Sequence, residues 1–235
     1  DGDQGRITAK QVEESIQADF DWLPVSKLVV VENTCNKGGG AVYEIEELRK
    51  IAQICKSKGL KLHLDGARFF NALVASQTNI EEYWGLFDSI SICLSKGLGA
   101  PIGSVLLGDH AFIKRAKKVR KAFGGGMRQV GILAAAGLYA LEHNVSLLQT
   151  DHKHATLLAE ELSCQKYIAK VITPQTNIVI FDLEKDIEPA RFIEYMKINE
   201  VMVVQFGPQT IRMVTHLDIS EEDVNAVVNL IKRFR

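Results

Sequence analysis

The sequence predicts an α/β protein: a large, parallel-rich domain over residues 1–148 and a small C-terminal α+β domain over residues 149–235. Two observations predict this. Segments of helical period alternate with short apolar runs through the first part of the chain, the order produced by β-α-β units. From about Ile168 the apolar runs are short and interrupted, with helices between and after them, which suits a small α+β lobe.

The elements follow in order. Thr8 is an N-cap candidate for an amphipathic helix over Thr8–Ala18. KLVVVE (Lys27–Glu32) is a strand, closed by the polar, glycine-rich loop NTCNKGGG. Glu44–Lys58 has apolar residues at helical spacing and stops at Gly59, and the strand Leu60–Leu64 follows directly, giving a parallel β-α-β unit. Ser89–Leu94 and Gly103–Leu107 are the remaining strands of this sheet. The basic helix AFIKRAKKVRKAF leads to Gly124, Gly125 and Gly126, then to an alanine-rich apolar helix, Met127–Glu142, expected to be buried between lobes. HKHATLLAEEL is helical. Beyond it, NIVIFDL, VMVVQF and TIRMVTH are strands, and EPARFIEYMKIN and EEDVNAVVNLIKRF are helices. Four strands are few for a parallel-rich sheet covered on both faces, so the large domain is expected to be incomplete at its N-terminal side.

Composition narrows the function classes. With 46% hydrophobic residues, 24% charged residues and a formal charge of -1, neither nucleic acid nor an anionic membrane is an expected partner. No apolar run approaches the roughly 20 residues that span a bilayer. The polar start DGDQGRITAK has no signal-peptide core, so a cytoplasmic location is expected. Cys35, Cys55, Cys93 and Cys164 lack the spacing of a zinc site or a disulfide framework, and Cys55 and Cys93 read as core residues. No metal is expected.

Chemistry concentrates at two strand ends. Lys96 closes the apolar run SISICLSK and opens the glycine-rich turn GLGAPIGS, while Asp65 closes LKLHLD. An amine and a carboxylate on one sheet rim are the minimal equipment for pyridoxal phosphate chemistry. The lysine forms a Schiff base with the cofactor aldehyde, and the aspartate keeps the pyridine nitrogen protonated.

ENTCNKGGG, LHLDGARFFNA, DSISICLSKGLGAPIGS and RKAFGGGMRQVGILAAAGLYALE, in that order and spacing, resemble the L-threonine aldolase family, and the resemblance runs to IRMVTHLDIS. These are aspartate-aminotransferase-like, fold-type I pyridoxal phosphate enzymes that share their fold with β-eliminating lyases. The resemblance implies that Lys96 carries pyridoxal 5'-phosphate as a Schiff base and that Asp65 pairs with the pyridinium. It implies further that Arg68 meets the cofactor phenolic oxygen or the substrate carboxylate, that Arg212 binds that carboxylate, and that Lys121 and Arg128 lie near the cofactor phosphate. It also implies a homodimer or homotetramer acting on a small amino-acid substrate, and an absent N-terminal part that supplies a Gly-Thr pair for the phosphate and an aromatic ring for the pyridine. On the residues alone, Asp65 also fits a helix N-cap, Arg212 a surface arginine and Lys121 a solvated basic face.

Other residues point less far. His63 reads as a packed or hydrogen-bonded histidine, and His216 as a local hydrogen-bonding group. His152 and His154 are two apart on a helix and cannot share a face. The glycine triplets lack the strand-GxGxxG-helix context of a dinucleotide site. Cys35 stands where many family members have histidine, and a thiol of ordinary pKa near 8.5 is only a few per cent ionised at neutral pH, a poor base for the β-hydroxyl proton. A water held by Asn33 or Asn36 is expected in that role. Three readings stand: aldol cleavage of L-threonine- or L-allo-threonine-like β-hydroxy amino acids to glycine and an aldehyde; β-elimination giving pyruvate and ammonia; and a non-catalytic fragment of such an enzyme.

Overall fold

The computed structural model describes residues 2–235. The chain divides into two compact units, Asp1–Val145 and Ser146–Arg235.

In the first unit, α1 (Ala9–Ser15) starts at Thr8, whose hydroxyl accepts the Gln11 N–H while the Gln11 side chain accepts the Thr8 N–H, a complete capping box. The helix ends earlier than its pattern predicts. Ile16 is already extended, and the Gln17 N–H is drawn to the Ser26 hydroxyl at 3.1 Å. Next come β1 (Leu28–Glu32), α2 (Ile45–Ser57), β2 (Lys61–Gly66), α3 (Phe69–Ser76), a 3-10 turn (Ile80–Tyr83), β3 (Ser89–Cys93), β4 (Ser104–Gly108), α4 (His110–Ala122) and α5 (Gly131–His143). Strand order is β1-β2-β3-β4. The first two pairs are parallel and β3–β4 is antiparallel. Along β2, Leu62 and Leu64 are buried while His63 and Asp65 are half-buried, so the strand separates an apolar face from a polar one. Leu48, Ile51 and Cys55 of α2 and Phe69 and Ala72 of α3 are buried too.

The structure adds one helix and changes two expectations. α3 was not read from the sequence: Asp65 fits an N-cap there, but Arg68 occupies the N-cap and supplies no side-chain cap. The alanine-rich helix begins at Gly131 and buries only Gly137 and Ala140, leaving Ile132, Leu138 and Tyr139 exposed. Cys93, the last residue of β3, is half-buried rather than a core residue.

The second unit contains α6 (Leu148–Ser163), β5 (Ile168–Ile172), β6 (Ile178–Leu183), α7 (Pro189–Ile198), β7 (Val204–Gln205), β8 (Thr210–Val214) and α8 (Glu221–Arg233). Its sheet, in the order β5-β6-β8-β7, is antiparallel throughout. The run VMVVQF keeps only two residues in β7, and β5 escaped notice because Lys170 interrupts it. Pro189 sits in the first turn of α7, where its missing N–H costs nothing. Ser220 and Asp223 form the capping box of α8. Phe192 is fully buried at the centre, its ring 5.6 Å from that of Phe181 and 5.0 Å from that of Phe234.

Phe192→Ala should lower stability by about 3–5 kcal/mol, since it removes the ring on which Tyr167, Phe181 and Phe234 pack. Denaturant unfolding with circular dichroism checks this, and a loss under 1 kcal/mol would contradict the central role of that ring.

Candidate active site

Because β1, β2 and β3 are parallel, the loops leaving their C-terminal ends share one edge of the sheet, where open α/β sheets place their ligand sites. Register pairs Glu32 with Asp65 and Asp65 with Ser91, so these three residues form a row across the strands on one face.

Asp65 is half-buried, and its Oδ1 accepts the Ala67 N–H at 3.1 Å. It does not cap α3, whose N-cap is Arg68. Gly66 follows because a Cβ there would stand 2.6 Å from the Ser91 carbonyl oxygen, too close for any other residue while β2 and β3 remain paired. Arg68 is buried, with 9% of its surface exposed, and its Nη1 donates to Asn36 Oδ1 at 3.1 Å.

Lys96 lies three residues beyond β3 and is exposed. The turn that carries it is tied by three backbone bonds: Gly99 N–H to Lys96 C=O at 2.9 Å, Ala100 N–H to Leu94 C=O at 3.0 Å, and Leu94 N–H to Gly103 C=O at 3.0 Å. Gly99 and Gly103 have φ of 71° and 111°, a region that favours glycine. Leu98 and Ala100 are buried and anchor the turn, leaving the amine on a short, well-tied support.

The loop after β1 is built as tightly. Asn33 is fully buried, its Nδ2 donating to the Tyr83 hydroxyl and its Oδ1 accepting the Tyr43 N–H, both at 3.3 Å. Its own N–H reaches the Asp65 carbonyl at 3.0 Å. Of the two asparagines expected to hold a water, Asn33 is therefore already engaged: both ends of its amide hold the loop to the unit. Asn36, half-buried beside Arg68, is the asparagine at the rim. Cys35 is buried, and its thiol donates to the Glu32 carbonyl at 3.0 Å. Burial, with the Glu32 carboxylate adding to it, pushes the thiol up to about 12, so it stays protonated. Glu32 was overlooked in the sequence. It closes β1 with a carboxylate directly opposite Asp65, the one signal that marked it.

Each remaining candidate is placed by its own element. His63 Nδ1 is 2.8 Å from the Ser89 hydroxyl, across the β2–β3 pair. Lys121 stands in the last turn of α4, and Arg128 follows the glycine triplet; both are exposed. The Lys121 chain lies along Gly126, where a Cβ would approach its Cδ to 2.6 Å. Arg212 belongs to β8 of the second unit, its guanidinium 5.1 Å from the centre of the Phe206 ring. His216 accepts the Asp218 N–H at 3.4 Å. In α6, burial pushes His152 down to about 4 and Asp151 up to about 6. No single helix among the described residues is long and apolar enough to cross a membrane.

A parallel-rich sheet with a lysine and an aspartate at adjoining strand ends, followed by a small antiparallel lobe, has the aspartate-aminotransferase-like fold. A solved threonine aldolase of Leishmania major superposes with a TM-score of 0.83 at 22% identity, covering 99% of this chain and 68% of that one. The family model for the β-eliminating lyases matches residues 1–186, and the chain belongs to that family. The low-specificity L-threonine aldolase 1 of Arabidopsis thaliana is 41% identical over 207 residues, 87% of this chain and 58% of the plant protein. The low specificity L-threonine aldolase of Escherichia coli K12 is 42% identical over 223 residues, 95% of this chain and 65% of the bacterial one. The chain thus spans 58% and 65% of the length of these two curated relatives.

Two outcomes are expected. Alkylation with iodoacetamide at pH 8, followed by peptide mass, should label the exposed Cys164 while Cys35 stays unlabelled until denaturant is added. Asp151→Asn should stabilise the protein above pH 6 and change little near pH 3. The folded carboxyl binds its proton more tightly than the unfolded one, so its contribution is present in acid and lost as pH rises through about 6. Thermal melts of both forms at the two pH values check the sign.

Proposed function

We propose that the protein performs pyridoxal-phosphate-dependent aldol cleavage of L-threonine- or L-allo-threonine-like β-hydroxy amino acids, releasing glycine and an aldehyde. One observation carries this reading: Lys96 and Asp65 leave adjoining parallel strands at one sheet edge, in a chain 42% identical to a low specificity L-threonine aldolase.

The donor set fits the cofactor. An exposed primary amine on a tightly tied turn suits its aldehyde, and a half-buried carboxylate on the neighbouring strand suits its ring nitrogen. Bound there, pyridoxal phosphate would supply the electron sink for the pair released when the substrate's Cα–Cβ bond breaks. Lys96 would be the attachment point, and Asp65 would keep a proton on the pyridine nitrogen. Arg68, buried and directed by Asn36, would hold the substrate carboxylate and so set which bond at Cα stands ready to break. Lys121 and Arg128 for the phosphate, and Arg212 for the carboxylate, enter the proposal on resemblance alone. Cys35 is not the base for the β-hydroxyl, since its proton is held by the Glu32 carbonyl. The same resemblance supports a cytoplasmic homo-oligomer.

The family description favours one second reading, β-elimination. Products separate the two: threonine gives glycine and acetaldehyde by aldol cleavage, but 2-oxobutyrate and ammonia by elimination.

Borohydride reduction with pyridoxal phosphate, followed by peptide mass, should place an adduct on Lys96 and none in Lys96→Ala. Asp65→Asn should keep the adduct but lose ~100-fold or more of the cleavage rate. No adduct on Lys96 would favour the reading of the chain as a catalytically silent piece of its parent.

A further inference from the structure

The geometry points to Asn36 as a positioning residue that acts on the substrate through Arg68, with Glu32 setting Asn36 in turn; this rests on Arg68 as the carboxylate ligand. Three contacts carry it. The Glu32 side chain accepts the Asn36 N–H through Oε2 at 3.2 Å, and the Glu32 carbonyl accepts the Cys35 thiol at 3.0 Å, so one residue grips two successive positions of the loop. Asn36 Oδ1 then accepts from Arg68 Nη1 at 3.1 Å. A guanidinium has only donors, so the Asn36 atom facing it must be the carbonyl oxygen, and the orientation of the amide is fixed by its partner.

The chemistry of position 36 has a reason. A carboxylate there would neutralise the guanidinium and compete with an incoming carboxylate, whereas a neutral amide directs the fork and leaves its charge for the ligand. Arg68 is buried at 9% exposure and held between the loops leaving β1 and β2, so its rotamer freedom is lost before any ligand arrives. Glu32 anchors the arrangement to the end of β1, where it stands opposite Asp65, and a shift of that loop would therefore move the guanidinium relative to Asp65.

The test has one readout without cofactor. Modification of Arg68 by phenylglyoxal, followed by peptide mass, should be slow in the wild type and about tenfold faster in Asn36→Ala, the scale of a lost hydrogen bond to a charged group. Asn36→Asp should keep modification slow, and Glu32→Gln, which retains an acceptor for the Asn36 N–H, should match the wild type. The second readout is threonine cleavage. Asn36→Ala should raise KM about tenfold with kcat within about twofold, the mark of lost binding common to ground and transition states. Asn36→Asp should raise KM as well although Arg68 stays protected, a combination that a merely structural role does not produce. An unchanged phenylglyoxal rate in Asn36→Ala, or a fall in kcat at constant KM, overturns the inference. If Asn36→Ala fails to fold, Glu32→Ala replaces it with the same expected rates. If the wild type cleaves no threonine, the functional reading fails while the phenylglyoxal arm still decides the position of Arg68.

Discussion

The parallel register of β1, β2 and β3 is the constraint on which the rest of the first unit depends. It sends three chain segments off one edge of the sheet and sets Glu32, Asp65 and Ser91 in one row. A slip of a single residue would turn Asp65 to the apolar face and Leu64 to the polar one, so burial of Leu62 and Leu64 protects the chemistry on the other side. Gly66 enforces the same register, since it lets β2 approach the Ser91 carbonyl.

Rigidity at this edge comes from backbone and buried polar groups rather than from ion pairs. The turn bearing Lys96 is closed by main-chain hydrogen bonds, and the loop after β1 is tied down through Asn33, Tyr43 and Tyr83. Both polar atoms of the buried Asn33 amide have partners, so the loop cannot leave its place without unpairing them. The surface ion pairs, such as Lys61 with Asp88 and Arg49 with Glu82, lie on exposed side chains and add little to that order. The second unit is held in another way, by an aromatic cluster around Phe192 and a capped final helix.

Much of this architecture was legible. Thr8, Gly59, Pro189 and the alternation in β2 are local signals, and local backbone geometry obeys them. α3 was missed because its N-cap, Arg68, supplies no side-chain cap, and β5 because Lys170 breaks its pattern. The alanine-rich helix was misjudged for a different reason. Apolar composition says that a face seeks cover, but whether cover exists depends on what else the chain brings against it, and here Ile132 and Tyr139 remain exposed.

The site divides along the same line. Order and spacing of residues in the chain already set Lys96, Asp65 and Arg68 at or just after the ends of β2 and β3, because strand ends and the turns after them are written locally. Which asparagine is buried scaffold and which stands at the rim, why Cys35 keeps its proton, and that Glu32 belongs with them were decided only by tertiary structure. The two asparagines depend on partners 10 to 50 residues away in the chain, Tyr43 and Tyr83 for Asn33 and Arg68 for Asn36, while Cys35 depends on its burial and Glu32 on its register opposite Asp65. No local pattern encodes a hydrogen bond across such a distance; the paired strands create it when they bring the two loops to one edge.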